Sequence, residues 1–229
     1  MVSKNRELYN HLAETYNQRQ DSPATIILRK KEVALMQRFC HGLVVDLGCG
    51  TGFHLDFVEN IIGLDISEKT LQSAKLKNKP LLQGDIVSLP FKNSTVDTVC
   101  CFYGTLNFVG LDSIKEICRV ISTRGKVILS VTSVMDIDKY RSSPQNKIKK
   151  FRIEGKPVNT RLFEKEEVID AFAKYDFSLV HFDSIFRWQK PRWGNFKEFS
   201  LLEKIKLRIE RVFPKNWGKI YLFVFEKAY

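Results

Sequence analysis

Short apolar runs alternate with longer amphipathic stretches along most of the chain. Apolar runs of this length, rich in β-branched and aromatic residues, are typical of buried strands, whereas the amphipathic stretches have helical periodicity. Strands are predicted at 43–45, 60–64, 81–82, 96–102, 126–131, 178–186 and 220–226, and helices at 5–20, 23–39, 53–59, 67–77, 111–121 and 164–174. Strands that alternate with helices of about ten residues predict βαβ units and a mainly parallel sheet.

One doubly wound α/β domain over 1–229 accounts for these elements, because no repeat or long linker interrupts them. We expect a helical lid at 1–40, a ligand-binding core at 41–135, and two irregular insertions at 136–162 and 187–218 on the substrate side. Insertions of this kind select substrates on many α/β folds.

Composition excludes several classes of protein. No run approaches 18 apolar residues, and the first residues are polar and lack a secretory pattern, so we expect a cytoplasmic protein without a membrane span. The five cysteines form no CxxC pair and the four histidines are scattered. These spacings predict free thiols, with neither a disulfide framework nor a metal site.

Charge is distributed unevenly. Residues 139–229 contain 21 Lys and Arg against 11 Asp and Glu, and so account for almost all of the net charge of +11. Such a region can attract RNA or a phosphorylated metabolite, or can simply be a solvated surface. Within it, Trp and Arg alternate at 186–193, a pattern compatible with base stacking, with a lid over an apolar substrate, or with packing on the sheet.

A glycine-rich turn follows the first predicted strand, in the segment VVDLGCGTG at 44–52. A strand that enters such a turn and then a helix presents backbone N–H groups to a ligand at the carboxyl end of the strand. Gly48 and Gly50 permit positive φ and let a ligand approach the backbone closely.

Acidic residues mark the ends of three successive strands. Asp65 follows Asp46 by 19 residues, where it can bind ribose hydroxyls, and Asp85 follows 20 residues later, where it can accept from an adenine amino group. A nicotinamide dinucleotide would need a third glycine where Phe53 stands, and its pyrophosphate would meet the Asp46 carboxylate. The pattern therefore favours S-adenosylmethionine, whose methionine end is cationic.

Four segments, VVDLGCGTG, IIGLDIS, QGDIVSLPF and VDTVCCFYGTLNFV, resemble the class I S-adenosylmethionine-dependent methyltransferases over about 40–135. The likeness is greatest to the ubiquinone/menaquinone-type branch, and YNHLAETYN at 9–17 is similar to its N-terminal lid helix. The resemblance implies a Rossmann-like, mostly parallel seven-stranded sheet with an antiparallel last strand and helices on both faces. It also implies S-adenosylhomocysteine as a product.

The resemblance also implies the contacts of the cofactor. They fall on the methionine moiety (Asp46, Gly48, Cys49 and Gly50, with Phe102 near its carboxylate), the ribose (Asp65, Ile66), the adenine (Asp85, Ile86) and a closing side chain (Tyr16). Where relatives often have two histidines, this chain has Asn107-Phe108. An O- or N-acceptor must lose a proton, so the candidates for a base are Tyr16, His11 and His54, with Asn107 as a candidate for binding the substrate or capping a turn.

The sequence is compatible with three functions. A methyltransferase for a small-molecule or lipid-like acceptor is the first, and an RNA (tRNA) methyltransferase that uses the basic region 139–229 is the second. The third is a non-catalytic binding subunit that keeps the fold.

Overall fold

The computed structural model describes residues 2–16, 22–136, 147–187 and 198–229. The strands in these ranges are β1 Val44–Leu47, β2 Ile61–Asp65, β3 Leu81–Gln83, β4 Val96–Cys101, β5 Ile121–Thr132, β6 Ile148–Ile153, β7 Lys156–Arg161, β8 Phe177–Ile185 and β9 Ile220–Lys227. The α-helices are α1 Val2–Leu12, α2 Pro23–Phe39, α3 Glu68–Ala74, α4 Thr105–Val109, α5 Ile114–Val120, α6 Lys165–Ala173 and α7 Leu201–Ile209.

Seven strands form the main sheet in the order β3-β2-β1-β4-β5-β9-β8. Strands β1 to β5 pair in parallel, whereas β9 pairs antiparallel with both β5 and β8. The strand order reverses between β1 and β4, and a crevice for ligands forms at the carboxyl ends of strands at such a point. The predicted doubly wound, mostly parallel sheet with an antiparallel last strand is confirmed.

Two apolar clusters cover the two faces of this sheet. Neighbouring residues of β1 point to opposite faces, so Val45 packs in the cluster beneath α5 and α6, while Val44 packs in the cluster beneath α2. Helix α2 begins at Pro23, where it was predicted to begin, and Ser22 caps it because its hydroxyl accepts from the Thr25 N–H. Helices therefore pack on both faces of the sheet, and the crevice lies at one of its edges.

Both insertions that we expected to be irregular contain regular structure. Residues 148–161 form an antiparallel hairpin, β6–β7, which turns at Glu154 and Gly155. In the second insertion, Ser200 caps α7 and forms a capping box with Glu203. The hairpin escaped prediction because polar and basic residues interrupt its alternation. The apolar positions of α7 have helical spacing, so this helix could have been recognised in the sequence. The aromatic-basic residues 188–193 lie outside the described residues.

The first helix is also shorter than predicted. It ends at Leu12 and residues 13–16 form turns, because the Thr15 hydroxyl and N–H both donate to the Leu12 carbonyl oxygen, at 3.3 and 3.1 Å; residues 17–20 of the predicted helix lie outside the described residues. Helix α4 was not predicted at all. No helix within the described ranges is long and apolar enough to cross a membrane.

Candidate functional site

The glycine loop after β1 requires glycine for steric reasons. Gly48 and Gly50 have φ values of +72° and +55°. A Cβ on Gly48 would lie 2.7 Å from the Thr105 side chain, closer than real Cβ contacts permit. The Gly48 and Cys49 N–H groups donate to the Leu64 carbonyl oxygen, which fixes the loop against the end of β2. Gly48 and Gly50 therefore line the crevice with backbone alone.

Asp65 joins the end of β2 to this loop. One carboxylate oxygen accepts from the Gly50 N–H and the other from the Ser67 N–H, both at 2.8 Å. Burial raises the pKa of this carboxyl, and the backbone hydrogen bonds oppose the rise. A carboxylate has about four acceptor positions, so Asp65 keeps capacity for a ligand.

Asp46 is buried at 1% exposure, and its Oδ2 has no hydrogen-bond partner among the described residues. Burial raises the pKa of Asp46 to about 6; His54 opposes the rise, while Glu32 and Asp65 add to it. A buried acceptor without a donor is costly. A cationic ligand group beside Oδ2 would remove that cost, so Asp46 fits the ammonium end of the cofactor.

Two adjoining cavities lie at this edge of the sheet and share Tyr16, Gly48 and Tyr103. The larger has a volume of about 270 Å³ and the smaller about 30 Å³. Predicted cofactor contacts line both: Tyr16, Gly48, Gly50, Asp65, Ile66, Asp85 and Ile86 the larger cavity, and Asp46, Cys49 and Phe102 the smaller one. The structure thus brings the predicted cofactor residues together.

Aromatic side chains cover the larger cavity. The Tyr9 ring lies 6.4 Å from that of Tyr16 and 5.7 Å from that of Phe108, with edge-to-face geometry in both pairs. Asn10 Oδ1 accepts from the Ser67 hydroxyl at 2.7 Å, which fixes α1 next to the end of β2. Burial raises the pKa of both tyrosines well above the usual value. The N-terminal segment therefore borders the larger cavity, and its two phenols stay protonated.

A buried acid from α2 supports the site and was missed by sequence analysis. Glu32 is fully buried; its carboxylate accepts from the Ser130 hydroxyl at 2.5 Å and the Tyr103 N–H at 3.2 Å, and lies 3.1 Å from His54 Nε2. Its burial, though not its contacts at the site, could have been inferred, because Glu32 falls on the helical stripe that buries Leu28 and Met36. Glu32 ties α2 to the chain segment after β4, beside the cavities.

The four catalytic candidates occupy different environments. Tyr16 lies in the lid, and His54 lines the smaller cavity with its ring 4.6 Å from that of Phe102. His11 is half-exposed beside Glu154 of the hairpin and does not line either cavity.

Asn107 likewise lies outside both linings. Its Nδ2 donates to the carbonyl oxygens of Thr132 and Arg161, at 2.9 and 2.6 Å, and its Oδ1 accepts from the Thr132 N–H. Asn107 is buried and clamps α4 to β5 and β7, so its amide has a structural use.

Further cavity residues come from the segment after β4 and were not predicted. Tyr103 has a positive φ of +55°, and its hydroxyl lies 2.9 Å from that of Thr25. Thr105, Val109 and Asp112 also line the larger cavity. This segment borders the same cavity as Tyr9 and Tyr16 of the N-terminal segment.

Comparison with known proteins agrees with this geometry. A family model described as a methyltransferase domain matches residues 45–129. An uncharacterized protein of Methanocaldococcus jannaschii is 31% identical, over 97% of this chain and 90% of that protein. The demethylmenaquinone methyltransferase of Lactococcus lactis is 36% identical over 44% of this chain and 46% of its own. This chain belongs to the class I S-adenosylmethionine-dependent methyltransferases.

The fold of this methyltransferase agrees with that assignment. An S-adenosylmethionine-dependent methyltransferase from Thermotoga maritima superposes with a TM-score of 0.65 and 19% identity, over 97% of this chain and 99% of that one. The protein is therefore an enzyme, its cofactor is S-adenosylmethionine, and a non-catalytic binding subunit is not favoured.

Proposed function

We propose that this methyltransferase acts on a small-molecule or lipid-like acceptor held in the larger cavity beneath Tyr9, Tyr16 and Phe108. The lining of that cavity supports the proposal: within the described chain it contains no Lys or Arg, and of its three acids only Asp112 is not assigned to the cofactor below. Carboxylates repel the phosphates of a nucleic acid, and aromatic side chains favour an apolar or cationic guest.

Asp46, Asp65 and Asp85 would hold the cofactor in this proposal. The unpartnered Oδ2 of Asp46 would accept from the methionine ammonium group, and Asp65, fixed by two backbone N–H groups, would accept from the ribose. Asp85, in the lining two residues after β3, would accept from the adenine amino group. When bound, the cofactor supplies an electrophilic methyl group on a positively charged sulfur.

The residues around the cavity act mainly by alignment and exclusion of water. The lid closes the cavity, and holding two reactants in line can supply much of the rate enhancement of a transfer reaction. Because burial raises the pKa of Tyr9 and Tyr16, these phenols donate hydrogen bonds at neutral pH and do not remove protons. His54 is engaged with the Glu32 carboxylate. The proposal therefore favours acceptors that react without a strong base.

An RNA acceptor is the second candidate, because one observation favours it. The hairpin β6–β7 presents Lys150, Arg152 and Lys156 to solvent. Its turn residue Glu154 accepts from the Thr15 hydroxyl in the lid at 2.5 Å, so these cations lie close to the lid. A polynucleotide bound along the hairpin would reach the site from that side.

Transfer of label from methyl-labelled cofactor distinguishes the two acceptors. The enzyme is incubated with cell extract separated into RNA, protein, lipid and water-soluble small-molecule fractions, with Gly48→Ala as the control that loses the cofactor site. Label in the lipid or small-molecule fraction supports the first candidate. Label in RNA that disappears when Lys150, Arg152 and Lys156 are replaced by Glu would overturn it in favour of the second.

A further inference from the structure

Helix α7 presents its apolar side to solvent. The α7 stripe consists of Leu201, Leu202, Ile205, Ile209 and Val212, with exposed fractions of 76%, 60%, 45%, 40% and 80%. At 3.6 residues per turn these positions occupy one side of the helix and of the 3-10 turn after it. Such a contiguous aliphatic surface is unusual unless it binds something.

The opposite side of α7 is anchored to the domain. Leu207 packs against the apolar cluster beneath α2. The Glu210 carboxylate accepts from the Phe186 and Arg187 N–H groups, at 3.0 and 3.4 Å. Because these contacts fix the helix rotation, the α7 stripe cannot turn inward without breaking them. Its exposure is set by the packing of the domain.

Cations border the α7 stripe. Lys204 and Arg208 lie along one margin of the helix and Lys206 along the other, by helical spacing. Residues 198–219 contain six Lys or Arg and three Glu. Of those acids, Glu210 faces the domain and Glu198 pairs with Lys204. An aliphatic stripe between basic margins is typical of helices that lie in the surface of an anionic membrane.

The location of α7 relates this surface to the site. Glu210 binds the backbone directly after β8. In the register of the sheet, Ile185 at the end of β8 pairs with Ile220, and Ile220 pairs with Thr132 at the end of β5. These are the ends of the sheet strands on the same edge as the crevice. A surface that contacts α7 therefore meets the protein at the edge that holds the cavities.

We propose that the α7 stripe inserts into the surface of an anionic lipid bilayer, with Lys204, Lys206 and Arg208 against the headgroups. Aliphatic side chains gain little from RNA, and a second copy would bring two sets of cations together. An anionic bilayer offers an apolar interior to the α7 stripe and negatively charged headgroups to the cations along its margins. The inference goes beyond the proposed function, because docking needs neither cofactor nor acceptor.

Co-sedimentation with vesicles tests the proposal on the full chain without cofactor. Binding is expected to phosphatidylglycerol–phosphatidylcholine vesicles, and to be weaker on pure phosphatidylcholine and at 0.5 M salt, since part of the attraction is screened. Replacing both Ile205 and Ile209 by Glu should lower the partition coefficient at least about tenfold, because aliphatic contacts are replaced by charges. Leu76→Glu, at a residue 85% exposed outside the stripe, is the matched control and should bind normally.

Other occupants of the stripe give different results. Equal vesicle binding by the double variant and the wild type would overturn the proposal. The proposal would also be overturned if the wild type bound no vesicles but formed a dimer in light scattering, or was retained on tRNA, and the double variant lost that dimer or that retention. Should the double variant fail to fold, Leu202→Glu takes its place. If that single change also unfolds the protein, the stripe packs within the chain and the proposal is wrong.

Discussion

Replacement of Asp46 by Asn tests whether the unpartnered carboxylate is kept for the cofactor. The pKa of Asp46 is raised by burial to about 6, against an unfolded value near 4. A raised pKa means that the folded state binds the proton more tightly than the unfolded state does. The contribution of Asp46 to stability is therefore lost as the pH rises from about 4 to about 6, and the loss is complete above that.

A difference of about two pKa units corresponds to about 3 kcal/mol in the free energy of unfolding. Asn carries no charge, so Asp46→Asn should remove this dependence on pH. The free energy of unfolding of the variant, minus that of the wild type, should increase by about 3 kcal/mol between pH 4 and pH 8. Comparing differences between the two proteins cancels the titration of all other groups.

Urea unfolding at pH 4, 5, 6 and 8 measures this difference. In parallel, calorimetry at pH 8 with S-adenosylmethionine should show at least about tenfold weaker binding by the variant, because the carboxylate is the proposed partner of the methionine ammonium group. A stability difference that stays constant from pH 4 to 8 would contradict the raised pKa. Unchanged cofactor affinity would contradict the assigned contact, even if the stability result held.

Three further substitutions address the loop, the clamp and the lid. Gly48→Ala should lower the free energy of unfolding by about 1–3 kcal/mol, because φ is +72° and the new Cβ meets Thr105, and calorimetry should detect no cofactor binding. Asn107→Ala should lower the free energy of unfolding in urea by about 2–4 kcal/mol, since buried backbone groups lose their partners. Its cofactor affinity at low temperature should nevertheless stay within about twofold of wild type, and a larger loss of affinity would give Asn107 a role in the site. Tyr16→Ala should raise the cofactor KM about tenfold by opening the lid, whereas Tyr16→Phe and the exposed-site control Tyr229→Ala should not. Equal KM values for Tyr16→Ala, Tyr16→Phe and Tyr229→Ala would exclude a closing role for Tyr16.

The part of the site that the sequence predicts is local. A strand, a glycine turn and acids at strand ends lie close together because parallel strands end at one edge, so the grouping of Gly48, Asp65 and Asp85 follows from order and spacing alone. Glu32 does not follow in this way, since it belongs to α2 and reaches the site through contacts with Tyr103 and Ser130. Such contacts depend on how α2 crosses the sheet, and no spacing in the sequence encodes it.

The same limit applies to Asn107 and to the insertions. Asn107 was a catalytic candidate because it stands where relatives often have a histidine. Its hydrogen bonds to the Thr132 and Arg161 carbonyl oxygens instead hold α4 against β5 and β7. The apolar positions of α7 recur at helical spacing, so a helix could have been predicted there, but not the outward orientation of its apolar side. Predictions based on apolar periodicity assume that apolar positions point to the core, and α7 violates that assumption.

The position of β9 between β5 and β8 has a consequence for how the protein is made. Strand β8 precedes β9 in the chain, yet among the strands of the described ranges it pairs only with β9. During synthesis, residues 177–185 therefore emerge from the ribosome with no neighbour to pair with until Ile220–Lys227 has followed. Until then the carboxyl-side half of the sheet ends at β5 with an unpaired edge, which is the kind of edge that chaperones shield and that aggregates recruit. The nascent chain is most exposed to misassembly over those forty or so residues.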